Sequence, residues 1–421
     1  MINSDPDTGP SQTSSSVFGE RVGPGSSGEH GSLHPETRAV HVNAPPVHGC
    51  RPLSVPIYQT STFGFDDPDE LAEAMSTPDG AFVYSRRGNP TVRALEEAVA
   101  DLENGRMALA TASGMGAISA VLLALLRTGD HIIVQRCLYG GTYSLLTDLS
   151  ARFGIEVSYV SGTDADEVRA ATRPETRALY LETIANPTTR VADLPALLEA
   201  GREADLIGVV DNSFATPVLC RPLDVGADIV LHSSTKYLAG HSDVTGGVAV
   251  FAARDLYEKC WKSAVELGAT CDPFAAWLTI RGLQTLGLRM QRHCASAARL
   301  AAHLADHPAV TAVHWPGRPE HPDHTLATNL LSDFGGILAF DLAGGRAAGR
   351  KFLAGVHLTA LAPSLGGVET LALHPASTSH RELGPDALHD AGIAEGTVRI
   401  SVGLEHPDDL WDDIERALSM I

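Results

Sequence analysis

The chain has 421 residues, 44% of them hydrophobic, enough to bury a large core and to divide into two or three domains. Asp and Glu number 51 against 31 Lys and Arg, a net charge of -20 with no basic cluster, which argues against a nucleic-acid-binding surface. The six cysteines, Cys50, Cys137, Cys220, Cys260, Cys271 and Cys294, form no CxxC and no secreted disulfide pattern, so a reducing cytoplasm is the expected setting.

In chain order, residues 1–36 are rich in Ser, Gly, Pro and acidic residues and read as a disordered leader. The leader has neither a basic n-region nor an apolar h-region, so it is not a secretion signal. Ala108 to Leu126 carries no charge over 19 positions and reaches the length of a membrane span. Its interior, Thr111-Ala112-Ser113-Gly114-Met115-Gly116, suits a strand-to-helix turn instead, with Ala117 to Leu126 as a buried helix and no membrane span. Strands follow at Ile132–Val134, Val157–Val160, Ala178–Leu181, Leu206–Val210 and Asp228–Leu231, with helical segments between them. This alternation predicts an α/β fold with a mostly parallel central sheet, helices on both faces and ligands at the strand carboxyl ends. Past residue 287 the pattern becomes α+β, with an Ala-rich stretch from His293 to Leu304 and a strand at Gly336–Phe340, a smaller C-terminal domain.

The most informative stretch is His232-Ser233-Ser234-Thr235-Lys236-Tyr237, at the end of the Asp228–Leu231 strand. A lysine there can form a Schiff base with a carbonyl cofactor while Ser233 and Thr235 hold a phosphate. The preceding strand runs into Asp211, the carboxylate that pyridoxal 5'-phosphate (PLP) needs at its ring nitrogen. Ser113, Gly114 and Met115, at a helix start, offer backbone N–H groups and a positive dipole end to the same phosphate. Gly140 and Gly141 allow close approach of a ligand beside Tyr139. Arg399 lies in an alternating strand, Val398–Val402, where a planar guanidinium suits a carboxylate. The 18 histidines show no metal-binding spacing; His314, His321 and His324 read as solvated loop residues, and no metal is expected.

The chain resembles the Cys/Met-metabolism family of PLP enzymes, which includes cystathionine gamma-synthase, cystathionine gamma-lyase and methionine gamma-lyase. The resemblance covers roughly residues 37 to 421 and rests on ordered motifs: Tyr84–Thr91, Ser113–Met115, Tyr139–Thr142, Glu182 with Asn186-Pro187, Val210–Asn212, the lysine motif, Ser364–Glu369 and Val398–Glu405. It implies PLP-dependent transferase fold type I, aspartate aminotransferase-like. Residues 37–87 would form an N-terminal arm reaching a neighbouring subunit, 88–287 the large PLP-binding domain and 288–421 the C-terminal domain. By resemblance, Tyr84 and Arg86 reach the phosphate from the neighbouring subunit, so the assembly would be a homotetramer of two catalytic dimers. Tyr139 stacks on the cofactor ring and serves as acid or base, and Lys236 carries the cofactor and shuttles the Cα proton. Asn186 contacts the phenolic oxygen, and Arg399, assisted by Ser364, clamps the substrate carboxylate.

Two departures bear on the substrate. Cystathionine-handling members commonly carry an acidic residue immediately before the tyrosine that is Tyr84 here; this chain has Val83. Leaving the distal ammonium of cystathionine unpaired against it would cost on the order of several kcal/mol. Methionine gamma-lyases typically carry a cysteine where this chain has Gly141. The expected activity is γ-elimination on a small L-amino acid with a thiolate, acyloxy or halide leaving group. The alternatives are γ-replacement, as in O-acylhomoserine sulfhydrylases or cystathionine gamma-synthases, and a non-catalytic PLP-fold regulatory protein.

Overall fold

The computed structural model describes residues 33–43, 52–78, 80–378, 381, 388 and 392–421. Most of the expected leader, residues 1–32, and Cys50 lie outside the described residues. Seven strands build a central sheet: β1 (Met107–Thr111), β2 (His131–Gln135), β3 (Glu156–Val160), β4 (Thr176–Glu182), β5 (Ile207–Asp211), β6 (Ile229–His232) and β7 (Gly247–Phe251). Their order is β1-β7-β6-β5-β4-β2-β3, and every pairing is parallel except those of β7, which runs against both β1 and β6. Reversal of β7 leaves the carboxyl ends of the other six strands on one edge of the sheet, where α/β folds place their ligands.

Both faces of the sheet are covered, as strands that read as continuous apolar runs require. Val210, Val230 and Leu181 point to one side, where Leu95, Leu197 and Leu283 meet them. Val209, Leu231 and Ala178 point to the other, against Val121, Leu146 and Tyr257. Each buried aliphatic side chain contributes about 1.5–3 kcal/mol, so a strand wrong by one residue in register would lose both layers together. The uncharged stretch that reached membrane-span length divides into β1 and a 12-residue helix, Gly114–Leu125. No helix of the described residues is long and apolar enough to cross a membrane.

A second, smaller sheet is made of β8 (Val310–His314), β9 (Ile337–Leu342), β10 (Ala360–Leu361), β11 (Leu371–Leu373) and β12 (Thr397–Ser401), in the order β10-β11-β12-β9-β8. Leu338, Phe340, Val398 and Ile400 of this sheet pack against Leu300, Phe352, Leu410 and Ile414, which come from the helices Leu286–Ala305, Gly345–Gly355 and Pro407–Leu418. The architecture is therefore mixed α/β, a central sheet and a second, smaller one.

Candidate active site

The carboxyl edge of the central sheet gathers the expected residues. Ser113 caps the helix Gly114–Leu125 by accepting the Gly116 N–H at 3.0 Å. At Gly114 a Cβ would stand 2.9 Å from both Cβ and Oγ of Ser233, so only glycine lets this turn close on the segment after β6. The two stretches read as phosphate ligands thus meet. The Ser233 N–H donates to Ser213 Oγ at 2.7 Å, tying the β5 and β6 ends together. The Thr235 hydroxyl is held by the Gly246 backbone, accepting its N–H at 2.9 Å and donating to its carbonyl at 3.2 Å.

Lys236 Nζ donates to Ser364 Oγ at 2.7 Å. Burial and the charge of Arg399 pull its amine down to about 8. Ser364 has φ of 93°, in the left-handed region that an L side chain rarely adopts, a kind of strain that collects at functional sites. Its carbonyl accepts from Arg399 Nη2 at 2.6 Å, while Arg399 Nη1 donates to Asn186 Oδ1 at 2.9 Å. Arg399 is only 5% exposed, Nε has no partner, and no carboxylate among the described residues pairs with it. Burial lowers this guanidinium to about 10, still charged at neutral pH. A buried cation with an idle N–H is a receptor for an anion.

Asp211, at the end of β5, accepts the Ser213 N–H at 2.9 Å. Burial pushes its carboxyl up from the ordinary range, while Ser213 and His232 pull it back. Directly across the sheet, in register with Asp211, sits Glu182. Burial and the neighbouring Asp211 hold the Glu182 carboxyl well above the ordinary range. Glu182 Oε1 accepts the Tyr139 N–H at 2.6 Å. The Tyr139 side chain is half exposed at the mouth of this cluster. A Cβ at Gly141 would lie 2.5 Å from the Tyr139 ring and 3.1 Å from the Met115 sulfur, so the missing side chain is what lets the ring rest there.

Tyr84 and Arg86 stand apart from this group. The Arg86 guanidinium lies 5.6 Å from the Tyr84 ring centroid and donates to the Val265 carbonyl at 3.0 Å.

The reading of three histidines as solvated loop residues is corrected. His321 is 4% exposed and lowered to about 4 by burial, beneath the Arg190–Asp323 ion pair. His314 pairs with Asp341 at 2.8 Å, and His324 opens the helix His324–Leu330 with Nδ1 on the Pro316 carbonyl. The polar composition of the segment concealed its folding onto Trp315 and Phe334. Among the described residues no group of three or more His, Cys, Asp or Glu could hold a metal ion.

Two participants escaped the sequence reading. Glu182 belonged to a motif but had no assigned task. Arg289, 4% exposed in the first turn of the helix Leu286–Ala305, donates to the carbonyls of Tyr237 at 2.7 Å and Gly282 at 2.8 Å. Its signal was a cation at a position where the helix's own 3.6-residue period calls for an apolar residue.

The residues fit PLP. Asp211 is a partly buried carboxylate at a strand end, Lys236 a partly buried amine lowered to about 8, the Gly114–Ser233 approach a cradle that any side chain would fill, and Arg399 a buried cation with an unpartnered Nε. A sequence profile described as Cys/Met metabolism PLP-dependent enzyme matches residues 36–419. The chain is 44% identical over 393 residues to L-methionine gamma-lyase of Pseudomonas deceptionensis, covering 93% of this chain and 98% of that protein. It is 42% identical over 391 residues to cystathionine gamma-synthase of Mycobacterium bovis, covering 93% and 98%. The crystal structure of cystathionine gamma-lyase from Lactobacillus plantarum superposes with a TM-score of 0.86 at 38% identity, over 92% of this chain and 99% of that one. Fold, cofactor residues and sequence agree, and the chain belongs to the Cys/Met-metabolism family of PLP-dependent enzymes, fold type I, with pyridoxal 5'-phosphate as its cofactor.

Proposed function

We propose that this enzyme catalyses γ-elimination on a small L-amino acid whose γ substituent is compact or apolar: a thiolate, an acyloxy group or a halide. The observation that carries the reading is the chain of contacts from Lys236 through Ser364 to Arg399, which supports a proton-shuttling role for the amine and a carboxylate-binding role for the guanidinium. When bound, PLP supplies the electron sink that makes first the Cα and then the Cβ proton of the substrate removable. Arg399 takes the α-carboxylate on its free N–H face, with Asn186 Oδ1 and the Ser364 carbonyl fixing the guanidinium plane. Lys236 Nζ, lowered toward neutrality, takes the Cα proton. Asp211 would hold the cofactor's ring nitrogen, Asn186 would serve its phenolic oxygen, and Ser113, Gly114, Met115, Ser233 and Thr235 would hold its phosphate. The Tyr139 hydroxyl protonates the departing γ group.

Val83 disfavours the distal ammonium of cystathionine, and Gly141, where methionine gamma-lyases typically carry a cysteine, weakens the assignment to ordinary methionine breakdown. Arg86, which donates to the Val265 carbonyl, and Tyr84 beneath its guanidinium supply the phosphate site of a neighbouring subunit, and the working assembly is a homotetramer of two such dimers in the cytoplasm. Residues 37–87 form the arm between subunits, 88–287 the cofactor domain and 288–421 the smaller domain.

Identity of 42% to a cystathionine gamma-synthase favours a second reading, γ-replacement on an O-acylated homoserine. A mass-resolved product screen of the PLP-loaded enzyme separates the two, using L-methionine, L-homocysteine, L-cystathionine, O-acetyl-L-homoserine and γ-halogenated amino acids, each with and without a thiol. Release of 2-oxobutyrate or an unsaturated amino acid without thiol supports the lyase; product formed only with thiol supports replacement.

A further inference from the structure

We propose that Glu182 is a positioning residue of this active site, fixing Tyr139 by taking its backbone N–H and bracing that loop against the strand that carries Asp211. This rests on the reading of Tyr139 as a group that faces the cofactor and substrate. Glu182 ends β4 and is 4% exposed. Its Oε1 holds the Tyr139 N–H at 2.6 Å, while its own N–H donates to Gln135 Oε1 at 2.9 Å. Two strand ends, β2 and β4, are thereby locked to the residue that precedes the helix Gly140–Phe153. That helix has no side-chain cap at Tyr139, so Glu182 supplies from another strand the anchoring that a local Ser or Asp would give.

The parallel β4–β5 register sets Glu182 beside Asp211 on the same face. Two adjacent carboxyl groups do not both ionise readily, and burial together with the neighbouring Asp211 holds the Glu182 carboxyl well above the ordinary range, which favours its neutral form. Glu182 takes the Tyr139 N–H on Oε1 and is held by the Asn186 backbone as well; a side-chain amide keeps one acceptor oxygen, enough for the Tyr139 N–H. Glutamine should therefore replace Glu182, whereas alanine removes the brace.

The test compares Glu182→Gln, Glu182→Ala, Tyr139→Ala and the double variant Glu182→Ala/Tyr139→Ala as PLP-loaded enzymes. Two quantities are read: kcat on the best substrate, and the circular dichroism induced in the cofactor's absorption band, which reports the ring's asymmetric surroundings. A misplacement of about 1 Å can cost about 100-fold, so Glu182→Ala is expected to lose kcat on that order with little change in KM. The double variant should be no worse than Tyr139→Ala, and Glu182→Gln should stay within about threefold of the natural enzyme, with its induced dichroism retained. Additive losses, or a glutamine variant as impaired as the alanine one, overturn the proposal. Should Glu182→Ala not fold, retention or loss in Glu182→Gln decides alone. If the natural enzyme turns over no γ-substituted amino acid, the functional reading fails, and the dichroism series still passes judgement on Glu182.

Discussion

Lys236 Nζ and Ser364 Oγ lie 2.7 Å apart, joining the central sheet's reactive amine to a residue held at φ 93° beside the smaller sheet. The contact aims the amine, and burial beside Arg399 disfavours its charged form. The amine is therefore lowered to about 8, so the neutral nucleophile accumulates as pH rises toward that value and is complete above it. PLP uptake by the apoprotein, followed by stopped-flow absorbance, is expected to accelerate about tenfold per pH unit below the midpoint and level off above it. Arg399→Gln removes the nearby positive charge and moves the midpoint to higher pH. A natural-enzyme midpoint at the ordinary lysine value would refute the electrostatic account.

Gly141 governs where the Tyr139 ring rests. A side chain at 141 enters space 2.5 Å from that ring and 3.1 Å from the Met115 sulfur. Gly141→Val should therefore displace the ring and lower kcat by about 10- to 100-fold, with the smaller Gly141→Cys less affected and altered mainly in its preference among leaving groups. Competition between methionine and O-acetylhomoserine in one vessel measures the shift. Unaltered ratios in both variants would mean that the ring is not set from position 141.

Sites shared between subunits can be rebuilt from damaged parts. Lys236→Ala and Arg86→Ala homo-oligomers are each expected to be nearly inactive. After unfolding and refolding together, mixed dimers hold one site with both natural residues, so activity should return to about a quarter of the natural value by random pairing. No recovery would place Arg86 in the same subunit's site or outside the chemistry.

Arg289 braces the turn that follows Lys236. Its guanidinium serves the carbonyls of Tyr237, Leu238 and Gly282, and a Cβ at Gly240 would collide with it at 2.1 Å. Arg289→Met leaves those carbonyls without their charged donor, at a cost on the order of 3 kcal/mol. The denaturant midpoint should fall accordingly, and PLP should bind more weakly than in an equally destabilised core variant remote from the turn.

Much of this was legible in the residues themselves. The β-rich apolar runs at Ile132–Val134 and Ala178–Leu181 marked buried parallel strands, and Ser113-Gly114 marked a helix start, because local period and capping chemistry carry those signals. The task of Glu182 was not legible, since its contact with Tyr139 spans 43 positions and arises from the pairing order of β2 and β4. Arg289 escaped for the same reason: the Tyr237 and Leu238 carbonyls it serves belong to a turn roughly fifty positions earlier. The His314–His324 segment misled because Pro, Gly and His suggest solvent, whereas Trp315 and the Arg190–Asp323 pair draw it inward.

The smaller sheet places β12 between β11 and β9, so the strand bearing Arg399 is an inner one although it is the last of the five in chain order. Both β9 and β11 are therefore synthesised before the partner that must be inserted between them. A nascent chain can already possess Lys236, Asp211 and Tyr139 and still be unable to grip an amino acid. On the proposed role of Arg399, competence for substrate arrives only when β12 joins β9 and β11.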